Sequence, residues 1–339
     1  MRKSILFIIA AVCCMTASAD NNGVCGDGVT YWFDEKTKTL IISKTGEGTG
    51  AMYDYDFNIS GNFTPSPWYA SFDMNIQKVI IEEGVTTIGD AAFWACCVLS
   101  SVSIPSSVTT IGNKAFEMCY KLNTIEIPNS VTSIGYQAFE SCNTLSSIVI
   151  PNSVTSIDFE AFRGCEGLTS IVLPNNLTTI KMGTFLGCFG LTSITIPDNV
   201  TEIGPQVFQL CINMTSVILG KNVSSILGYV FQECIALKDI YCYAANVPQT
   251  TNGTFYGIEL SNVTLHVPAA SVDQYKTTWT KFKEIVPLTE QELGVESVCI
   301  DNGSYEWYQL NGQRATSPKH GLNIIRMKDG TSKKVVYRE

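Results

Sequence analysis

Histidine and charge are both scarce in this chain of 339 residues. It contains two histidines, His266 and His320, and charged residues make up 16% of the sequence, against roughly 25% in an average soluble domain. The net charge of −9 leaves no excess of basic residues for an electrostatic nucleic-acid binder. Most zinc centres and histidine-dependent catalytic triads would have to use one of these two histidines. The sequence therefore predicts no nucleic-acid partner and argues against most metalloenzymes and hydrolases.

Catalytic and metal-binding motifs are absent as well. The chain has no Gly-x-Ser-x-Gly, no His-Glu-x-x-His, no phosphate-binding Gly-x-x-x-x-Gly-Lys-Ser/Thr and no Cys-x-x-Cys. The glycines Gly46, Gly48 and Gly50 are not set in a strand-helix crossover unit, so we interpret them as turn residues. Carboxylates form no recurring pair that would suggest a glycosidase. We predict that the chain is not an enzyme and has no catalytic residue, metal site or cofactor.

Long apolar runs are missing except at the N-terminus. Residues Met1–Ala19 combine a basic start, an apolar stretch and the small residues Ala17-Ser18-Ala19, which is typical of a cleaved signal peptide. Lipidation of Cys13 is the alternative, although the preceding Val12 is larger than lipoprotein processing usually accepts. No other stretch reaches the roughly 18 apolar residues of a transmembrane helix. We therefore predict a protein that is exported and either secreted or held at the cell surface.

What the chain does have is a repeat of 23 residues. Isoleucine, phenylalanine and cysteine each recur seven times at this spacing, from Ile88, Phe93 and Cys96 to Ile226, Phe231 and Cys234. Proline recurs at the same spacing from Pro105 to Pro197, and Gly220 stands at the next position. A fixed period of this length is the signature of a solenoid, in which each coil buries its apolar face against its neighbours.

Each repeat unit contains a short strand. In one copy, Leu122, Ile125 and Ile127 alternate with the polar Thr124 and Glu126, which is the pattern of a strand with one buried face. A second extended piece follows, and Ala138, Phe139 and Cys142 are expected to fill the interior from the opposite side. Because parallel strands lie about 4.8 Å apart, seven coils would make a rod of roughly 34 Å with a parallel sheet along one side.

The flanks of the repeats are predicted to cover the two ends of the stack. Before the repeats, Val29–Ser43 alternates like a hairpin, and Pro67–Tyr69 adds bulky apolar cover. After them, Val263–Val267 predicts a last strand and Ser271–Phe282 a helix with Val272, Tyr275, Trp279 and Phe282 on one face. We divide the chain into a signal peptide (1–19), an N-terminal cap (20–75), repeats (76–243), a C-terminal cap (244–293) and a small β module (294–339).

The cysteines of the repeat are predicted to be buried free thiols. Of 13 cysteines, Cys13 and Cys14 lie in the signal segment, and the remaining eleven are an odd number, so at least one is not paired within the chain. Repeated copies would point the same way, whereas a disulfide needs a particular dihedral angle. If a disulfide forms, the irregular cysteines are the better candidates: Cys25, Cys97, Cys242 and Cys299.

The repeat unit resembles a known family. Leu145–Ile157 (LSSIVIPNSVTSI), continued by Ala161–Cys165 (AFRGC), is similar to the leucine-rich repeats of the BspA-like bacterial surface proteins. The resemblance covers about Ile76 to Ile240, and two flanking stretches look like the family's caps, Gly48–Met52 with Pro67–Tyr69 and Leu265–Pro268 with Ser271–Tyr275. It implies an α/β-class, β-rich leucine-rich repeat solenoid. It also implies a secreted or surface-displayed interaction protein, in a family where some members are associated with binding to host matrix proteins.

The last forty residues differ in charge from the rest of the chain. From Ile300 to Glu339 there are seven basic residues against four acidic ones. Tyr308–Arg314 and Lys319–Ile325, with Lys333–Val336, resemble the C-terminal sorting module of the type IX secretion route. The segment predicts two or three short strands with a hairpin turn at Asp329-Gly330. Because some of the usual leading strands are absent, a plain terminal module remains the alternative.

The outward-facing strand residues form the candidate binding surface. One row is uniformly small and polar, whereas the row beside it varies and carries apolar side chains that a solitary protein gains little from exposing. We hypothesise that the variable row contacts a partner, through Glu126, Val149, Val172, Thr195, Ile218 and Tyr241. The alternative is that β-branched residues are present only because they suit strands.

The sequence thus predicts a bacterial cell-surface scaffold that binds protein, with host extracellular matrix proteins among the candidates, and that serves in adhesion. A glycan-binding module is the second possibility, for which Tyr120, Tyr241 and Tyr243 hint at a row of exposed aromatic rings. A purely structural surface component is the third.

Overall fold

The computed structural model describes residues 21–56, 64–71, 75–251 and 253–289, and the backbone of four strands between residues 305 and 337. The predicted signal segment and the predicted turn at Asp329-Gly330 lie outside these residues, as does Cys299.

Short strands dominate the described chain. The N-terminal elements are β1 (Asn22–Gly26), β2 (Val29–Asp34), β3 (Thr39–Lys44) and helix α1 (Pro67–Ser71). The repeats contain β4 (Lys78–Ile81), β5 (Thr87–Ile88), β6 (Ser101–Ser103), β7 (Thr110–Ile111), β8 (Thr124–Ile125), β9 (Ser133–Ile134), β10 (Ser147–Val149), β11 (Ser156–Ile157), β12 (Ser170–Val172), β13 (Thr179–Ile180), β14 (Ser193–Thr195), β15 (Glu202–Ile203), β16 (Ser216–Leu219), β17 (Ser225–Ile226), β18 (Asp239–Cys242) and β19 (Gln249–Thr250). They are followed by the 3-10 turns Leu260–Asn262 and Ala269–Ser271, β20 (Thr264–Val267), α2 (Val272–Thr278), β21 (Glu284–Pro287), β22 (Tyr305–Tyr308), β23 (Arg314–Ala315), β24 (Gly321–Met327) and β25 (Ser332–Tyr337).

Each coil of the solenoid has three sides. The even-numbered strands from β4 to β18 form the strand side, and the odd-numbered strands from β5 to β19 form the second side. The third, called the turn side here, consists of tight turns such as Gly135–Cys142. Strands of neighbouring coils pair in parallel with a shift of one repeat, so Ser147 faces Ser170 and Ile157 faces Ile134. This constant register is why identical residues stack directly upon one another.

The interior is filled by stacked copies of the repeat residues. Leu122, Ile125 and Ile127 are buried while Thr124 and Glu126 are exposed, which confirms the alternation expected from the sequence. Phenylalanine rings from successive coils stack with centroids 5.3 to 5.7 Å apart, from Phe93 to Phe231. One continuous apolar core therefore runs the length of the solenoid.

The solenoid has about nine stacked turns, two more than the seven coils that the 23-residue spacing identifies. Trp68 continues the ring stack beyond Phe93 at 5.6 Å, and Phe255 continues it beyond Phe231 at 5.7 Å. The 23-residue spacing does not identify these two rings. Trp68 is a different residue type and lies 25 residues before Phe93, and Phe255 lies 24 residues after Phe231.

The N-terminal flank forms the predicted hairpin. β2 and β3 pair antiparallel, with Thr30 opposite Ser43, and β3 then pairs in parallel with β4, the first strand of the repeats. Trp68 is 1% exposed and lies over the first coil. The apolar interior at this end is thus covered by the hairpin and by one indole ring.

The C-terminal flank differs from the expectation in two ways. β20 is not the last strand, because β21 pairs with it in parallel and extends the strand side by one more position. The helix is shorter than Ser271–Phe282: α2 ends at Thr278, and Trp279 leaves the helical conformation with φ −107° and ψ 75°. The chain must leave the helix early so that Lys283, which donates to the Leu260 carbonyl at 2.9 Å, can lead into β21 alongside β20.

The C-terminal strands form a separate antiparallel sheet of order β23-β22-β24-β25. The sequence predicted two or three strands here, and the structure has four. Within the described part of the chain, neither helix has the length and apolar character of a membrane span.

Candidate protein-binding surface

The strand side holds the predicted contact row in a fixed geometry. Ile148 and Ile150 point inward and are 3% and 2% exposed, so the residue between them, Val149, must point outward. Val149 lies directly opposite Val172 on the neighbouring strand, and Thr195 lies opposite Ile218. The stacked coils therefore place the side chains of the row one above another.

Exposure along the row is uneven. Val149 is 64% and Val172 is 57% exposed, which confirms that the row presents apolar area, and Glu126 and Thr195 are exposed beside them. Ile218 and Tyr241 are only half-buried, so they contribute less open surface than the sequence suggested. The exposed apolar part of the row is centred on two adjacent valines.

The C-terminal end of the row is covered by the imidazole ring of His266, which belongs to the same chain. Tyr241 stacks on His266 of β20 with ring centroids 4.3 Å apart. The imidazole Nε2 of His266 lies 3.2 Å from a carboxylate oxygen of Asp239. The sequence analysis placed His266 in a strand but did not add it to the row, because it follows Tyr241 by 25 residues instead of 23.

No titratable side chain interrupts the middle of the strand side. Between Glu126 at one end and Asp239 at the other, the outward residues of β10, β12, β14 and β16 are valine, isoleucine, threonine and serine. Such a surface offers no charged side chain for a direct ion pair, so contacts there depend on shape and apolar burial.

The scaffold beneath the row is held by a hydrogen-bond ladder that the sequence did not reveal. The thiol of each repeat cysteine from Cys119 to Cys234 donates to the carbonyl of the phenylalanine one coil earlier, as in Cys165 to Phe139 at 3.1 Å. The repeat cysteines are buried, as predicted, and burial raises the pKa of Cys165 to about 12. The cysteines proposed for disulfides, Cys25, Cys97 and Cys242, are free thiols in the structure.

The turn side carries a cluster of carboxylates that the sequence analysis missed. Glu117 and Glu140 occupy the same position in adjacent coils and are largely buried. Arg163 lies 3.1 Å from Glu140, and Lys114 lies 3.0 Å from Glu117. Burial raises the pKa of Glu140 to about 7, with Arg163 opposing the shift and Glu117 adding to it. The spacing of 23 residues between the two glutamates was the signal that could have found them.

This cluster is engaged with the chain's own cations and amides. Gln137 donates to Glu160 at 2.6 Å, and Arg163 lies 3.7 Å from the same carboxylate. Among the described residues, no group of three or more histidine, cysteine, aspartate or glutamate side chains could hold a metal ion. The arrangement is that of an internal ion-pair network.

The family match agrees with this architecture. The family described as BspA type Leucine rich repeat region matches in six copies, over residues 67–186 and 155–278. The chain belongs to this family. Leucine-rich repeat proteins such as the BspA type are generally non-enzymatic scaffolds. No curated protein matches the chain.

Several solved structures are similar to this BspA-type chain. A leucine-rich repeat protein from Bacteroides ovatus is 24% identical over 77% of this chain and 76% of its own, with a TM-score of 0.48. A leucine rich cell surface protein from Faecalibacterium prausnitzii is 19% identical over 78% and 95%, with a TM-score of 0.45. A leucine-rich repeat protein of T. pallidum is 27% identical over 59% and 91%, with a TM-score of 0.42.

Proposed function

We propose that this BspA-type protein is displayed at the surface of a bacterium and adheres to host or neighbouring-cell proteins through its strand side. The contact row consists of Glu126, Val149, Val172, Thr195, Ile218 and Tyr241. The observation that carries the proposal is the pair Val149 and Val172, which are 64% and 57% exposed and lie directly opposite each other on adjacent strands.

Physical arguments support this surface as a contact site. A rigid stack of coils loses little conformational freedom on binding, so most of the gain from apolar burial is retained. Covering each valine would contribute about 1 to 1.5 kcal/mol. Extended, regular surfaces of this kind are what repeat proteins offer to macromolecular partners.

Export and domain organisation belong to the same proposal. We infer a cleaved signal peptide at 1–19, caps at 20–75 and 244–293 around the repeats at 76–243, and a terminal module at 294–339 that acts as a type IX sorting signal. The basic composition of the last segment and its motifs support the sorting role. Placing the module on an unrelated exported protein and locating that protein by cell fractionation tests it: failure to reach the outer surface contradicts the sorting role.

The test of adhesion is binding of the full chain to immobilised matrix glycoproteins, measured with and without enzymatic removal of their glycans. The double variant Val149→Asp, Val172→Asp places two charges on the row. The matched control is Val24→Asp, since Val24 is 61% exposed on β1 at the far end of the molecule. Circular dichroism verifies that the variants remain folded.

Saturable binding that survives deglycosylation, weakens at least tenfold in the double variant and is unchanged in Val24→Asp is the expected result. Equal binding by the double variant would contradict the strand-side proposal. Absence of binding to every glycoprotein would contradict the adhesion proposal and favour a structural role at the surface.

One observation favours glycan binding as the second candidate. Tyr136 and Phe159 occupy the same turn-side position in successive coils and are 36% and 44% exposed. Partly exposed rings in a row offer a stacking surface to sugar rings, beside the lysines that lie over them, Lys114 over Tyr136 and Lys181 over Phe159. Loss of binding after deglycosylation, together with loss in a Tyr136→Asp variant, would favour this candidate over protein binding.

A further inference from the structure

The turn side contains a ladder of backbone hydrogen bonds in which alternate N–H groups of each turn donate to the carbonyls of the next coil. In one coil, the backbone N–H groups of Lys114, Phe116 and Met118 donate to carbonyls one coil further along, at 2.7 to 2.8 Å. The pattern repeats in every later coil, and the last bonds of the ladder run from Phe231 to Thr254 and from Glu233 to Tyr256. One end of such a ladder must therefore present carbonyls, and the other end must present N–H groups.

The carbonyl end of this turn-side ladder is covered by the chain itself. The Asp90 carbonyl accepts the Tyr55 N–H at 2.9 Å, and the Ala92 carbonyl accepts the indole N–H of Trp68 at 2.8 Å. The N-terminal flank thus supplies donors where a preceding coil would have supplied them.

The N–H end has no such cover over its backbone groups in the described part of the chain, although the rings of Trp279 and Phe282 pack against the Phe255 ring there. Gly253, Phe255 and Gly257 are the equivalents of the donors in earlier coils, and their N–H groups find no acceptor among the residues that the structure describes. The strand side continues with β20 and β21 beyond this point, but the turn side does not. A row of unpaired backbone groups along an edge is a template for pairing with another polypeptide.

A cavity adjoins this open edge. It has a volume of about 570 Å³ and a mixed lining, in which the apolar side chains of Phe255, Ile258 and Leu260 lie among threonine and serine hydroxyls. Tyr256 also lines the cavity and is 61% exposed. The cavity is large enough for the side chains of a bound segment, and the exposed ring offers apolar area beside the edge.

The charges at this edge favour a neutral acceptor. The carboxylate of Glu259 lines the cavity, and that of Glu233 lies against Gly257. These carboxylates would repel an anionic ligand strongly, whereas they would repel the neutral carbonyl groups of a peptide far less. Lys281, which also lines the cavity, does not outweigh two carboxylates.

We propose that the open end of the turn side is a second binding site, which takes a peptide segment of a partner protein. The segment places carbonyl oxygens on the N–H groups of Gly253, Phe255 and Gly257 and inserts side chains into the adjoining cavity. The edge is a turn and not a strand, so the segment would take the place of the turn of a further coil. As in strand addition, the backbone bonds give affinity and the cavity gives specificity. The site is separate from the strand-side row and does not depend on it.

Hydrogen exchange of the full chain, resolved at single amides, tests whether the edge is open. The amides of Phe255 and Gly257 are expected to exchange rapidly, while those of Phe231 and Glu233 are protected, at two protein concentrations. Protection of Phe255 and Gly257 at both concentrations would mean that the chain covers its own edge. Protection only at the higher concentration would mean that a second copy covers it, and either result overturns the proposal.

A library of random linear peptides displayed on phage tests binding. Peptides selected on the full chain are expected to protect the amides of Phe255 and Gly257 and to bind the Tyr256→Asp variant at least tenfold more weakly. The matched control is Tyr120→Asp, an exposed tyrosine several coils away. No selected peptide, protection elsewhere, or equal binding to Tyr256→Asp would overturn the proposal, and none of these outcomes bears on the strand-side row.

Discussion

At the scale of single residues, the repeat cysteines are small buried side chains that also donate hydrogen bonds. They are buried in the same core as the phenylalanine rings, and from Cys119 to Cys234 each thiol gives a carbonyl of the previous coil an additional donor. Burial favours the neutral thiol over the thiolate, which is the nucleophilic form. The repeat cysteines are therefore packing residues with low chemical reactivity.

Thiol labelling of the native chain is expected to distinguish Cys97 from the repeat cysteines. Cys97 is partly exposed, whereas Cys96, one residue earlier, is 2% exposed and burial raises its pKa to about 12. Iodoacetamide followed by peptide mapping should modify Cys97 well before Cys96 or Cys165. Labelling of Cys165 at the same rate as Cys97 would show that the core opens more readily than this packing allows.

The pH dependence of stability has a residue-scale contribution from Glu140. Its pKa is raised from 4.5 to about 7 in the folded chain, so folding favours the protonated carboxyl. The resulting stabilisation is fully present below about pH 4.5 and is lost as the pH rises toward 7. Glu140→Gln, which removes the charge, should raise the free energy of unfolding by about 1 to 2 kcal/mol at pH 8, after allowance for solvent screening, and by much less at pH 4.

Urea unfolding at the two pH values measures this difference. Glu166→Gln is the control, because Glu166 is an exposed glutamate of the turn side. A Glu140→Gln variant that is less stable than the parent at pH 8 would mean that the ion pair with Arg163 outweighs the burial of the carboxylate.

At the scale of structural elements, the ring stack links each coil to its two neighbours. Phe162 has Phe139 on one face at 5.3 Å and Phe185 on the other at 5.7 Å, whereas Phe255 ends the parallel stack beside Trp279 and Phe282. In a solenoid, stability is approximately a sum of coil and interface contributions, so a central ring supports two interfaces.

Replacing a central ring should therefore cost more than replacing the last one. Phe162→Ala is expected to lower the free energy of unfolding by about 3 to 5 kcal/mol, because a fully buried ring leaves a cavity. Phe255 is only partly buried, so Phe255→Ala should cost about half as much. Guanidinium unfolding followed by circular dichroism compares the two, and equal losses would contradict a stack that transmits stability between neighbours.

The cover at the N-terminal end of the solenoid depends on one side-chain donor. Trp68→Phe keeps an aromatic ring against Phe93 but removes the indole N–H that binds the Ala92 carbonyl at 2.8 Å. A buried carbonyl left without its donor costs about 1 to 3 kcal/mol. Thermal unfolding should show this loss, and the amides of the first coil should exchange faster than in the parent. An unchanged melting temperature would mean that water or another group replaces the indole.

At the scale of the whole molecule, the proposed strand-side contact is expected to depend little on salt. The chain is acidic, with a net charge of −9, but the middle of the strand side is uncharged. Binding through Val149 and Val172 is therefore expected to change by less than about twofold between 50 mM and 500 mM salt. Surface plasmon resonance over this range measures it, and a strong decrease with salt would place the contact on a charged surface instead.

The sequence predicted the fold well because the interior repeats. Ile148 and Val149 show why the strand side was also predictable: alternation along a strand decides which side chain is buried and which is open. The period fails at the ends, where Trp68, Phe255 and His266 follow spacings of 24 or 25 residues. The open edge near Phe255 was out of reach for a further reason, since backbone hydrogen bonds between coils leave no mark on residue type.

The uniform register between coils also has a consequence for how such a protein can change in length. Removing residues 147–169 would join Ser146 to Ser170. Ser170 occupies the position in its repeat that Ser147 occupies in the repeat before it, so the sequence pattern would continue unbroken. Each interface would remain apolar and each cap would keep its own first coil. Exchange between repeated stretches of the gene can therefore shorten or extend the contact row by one coil, about 4.8 Å, at a time. The length of the contact row would then be inherited and would differ between relatives by whole coils.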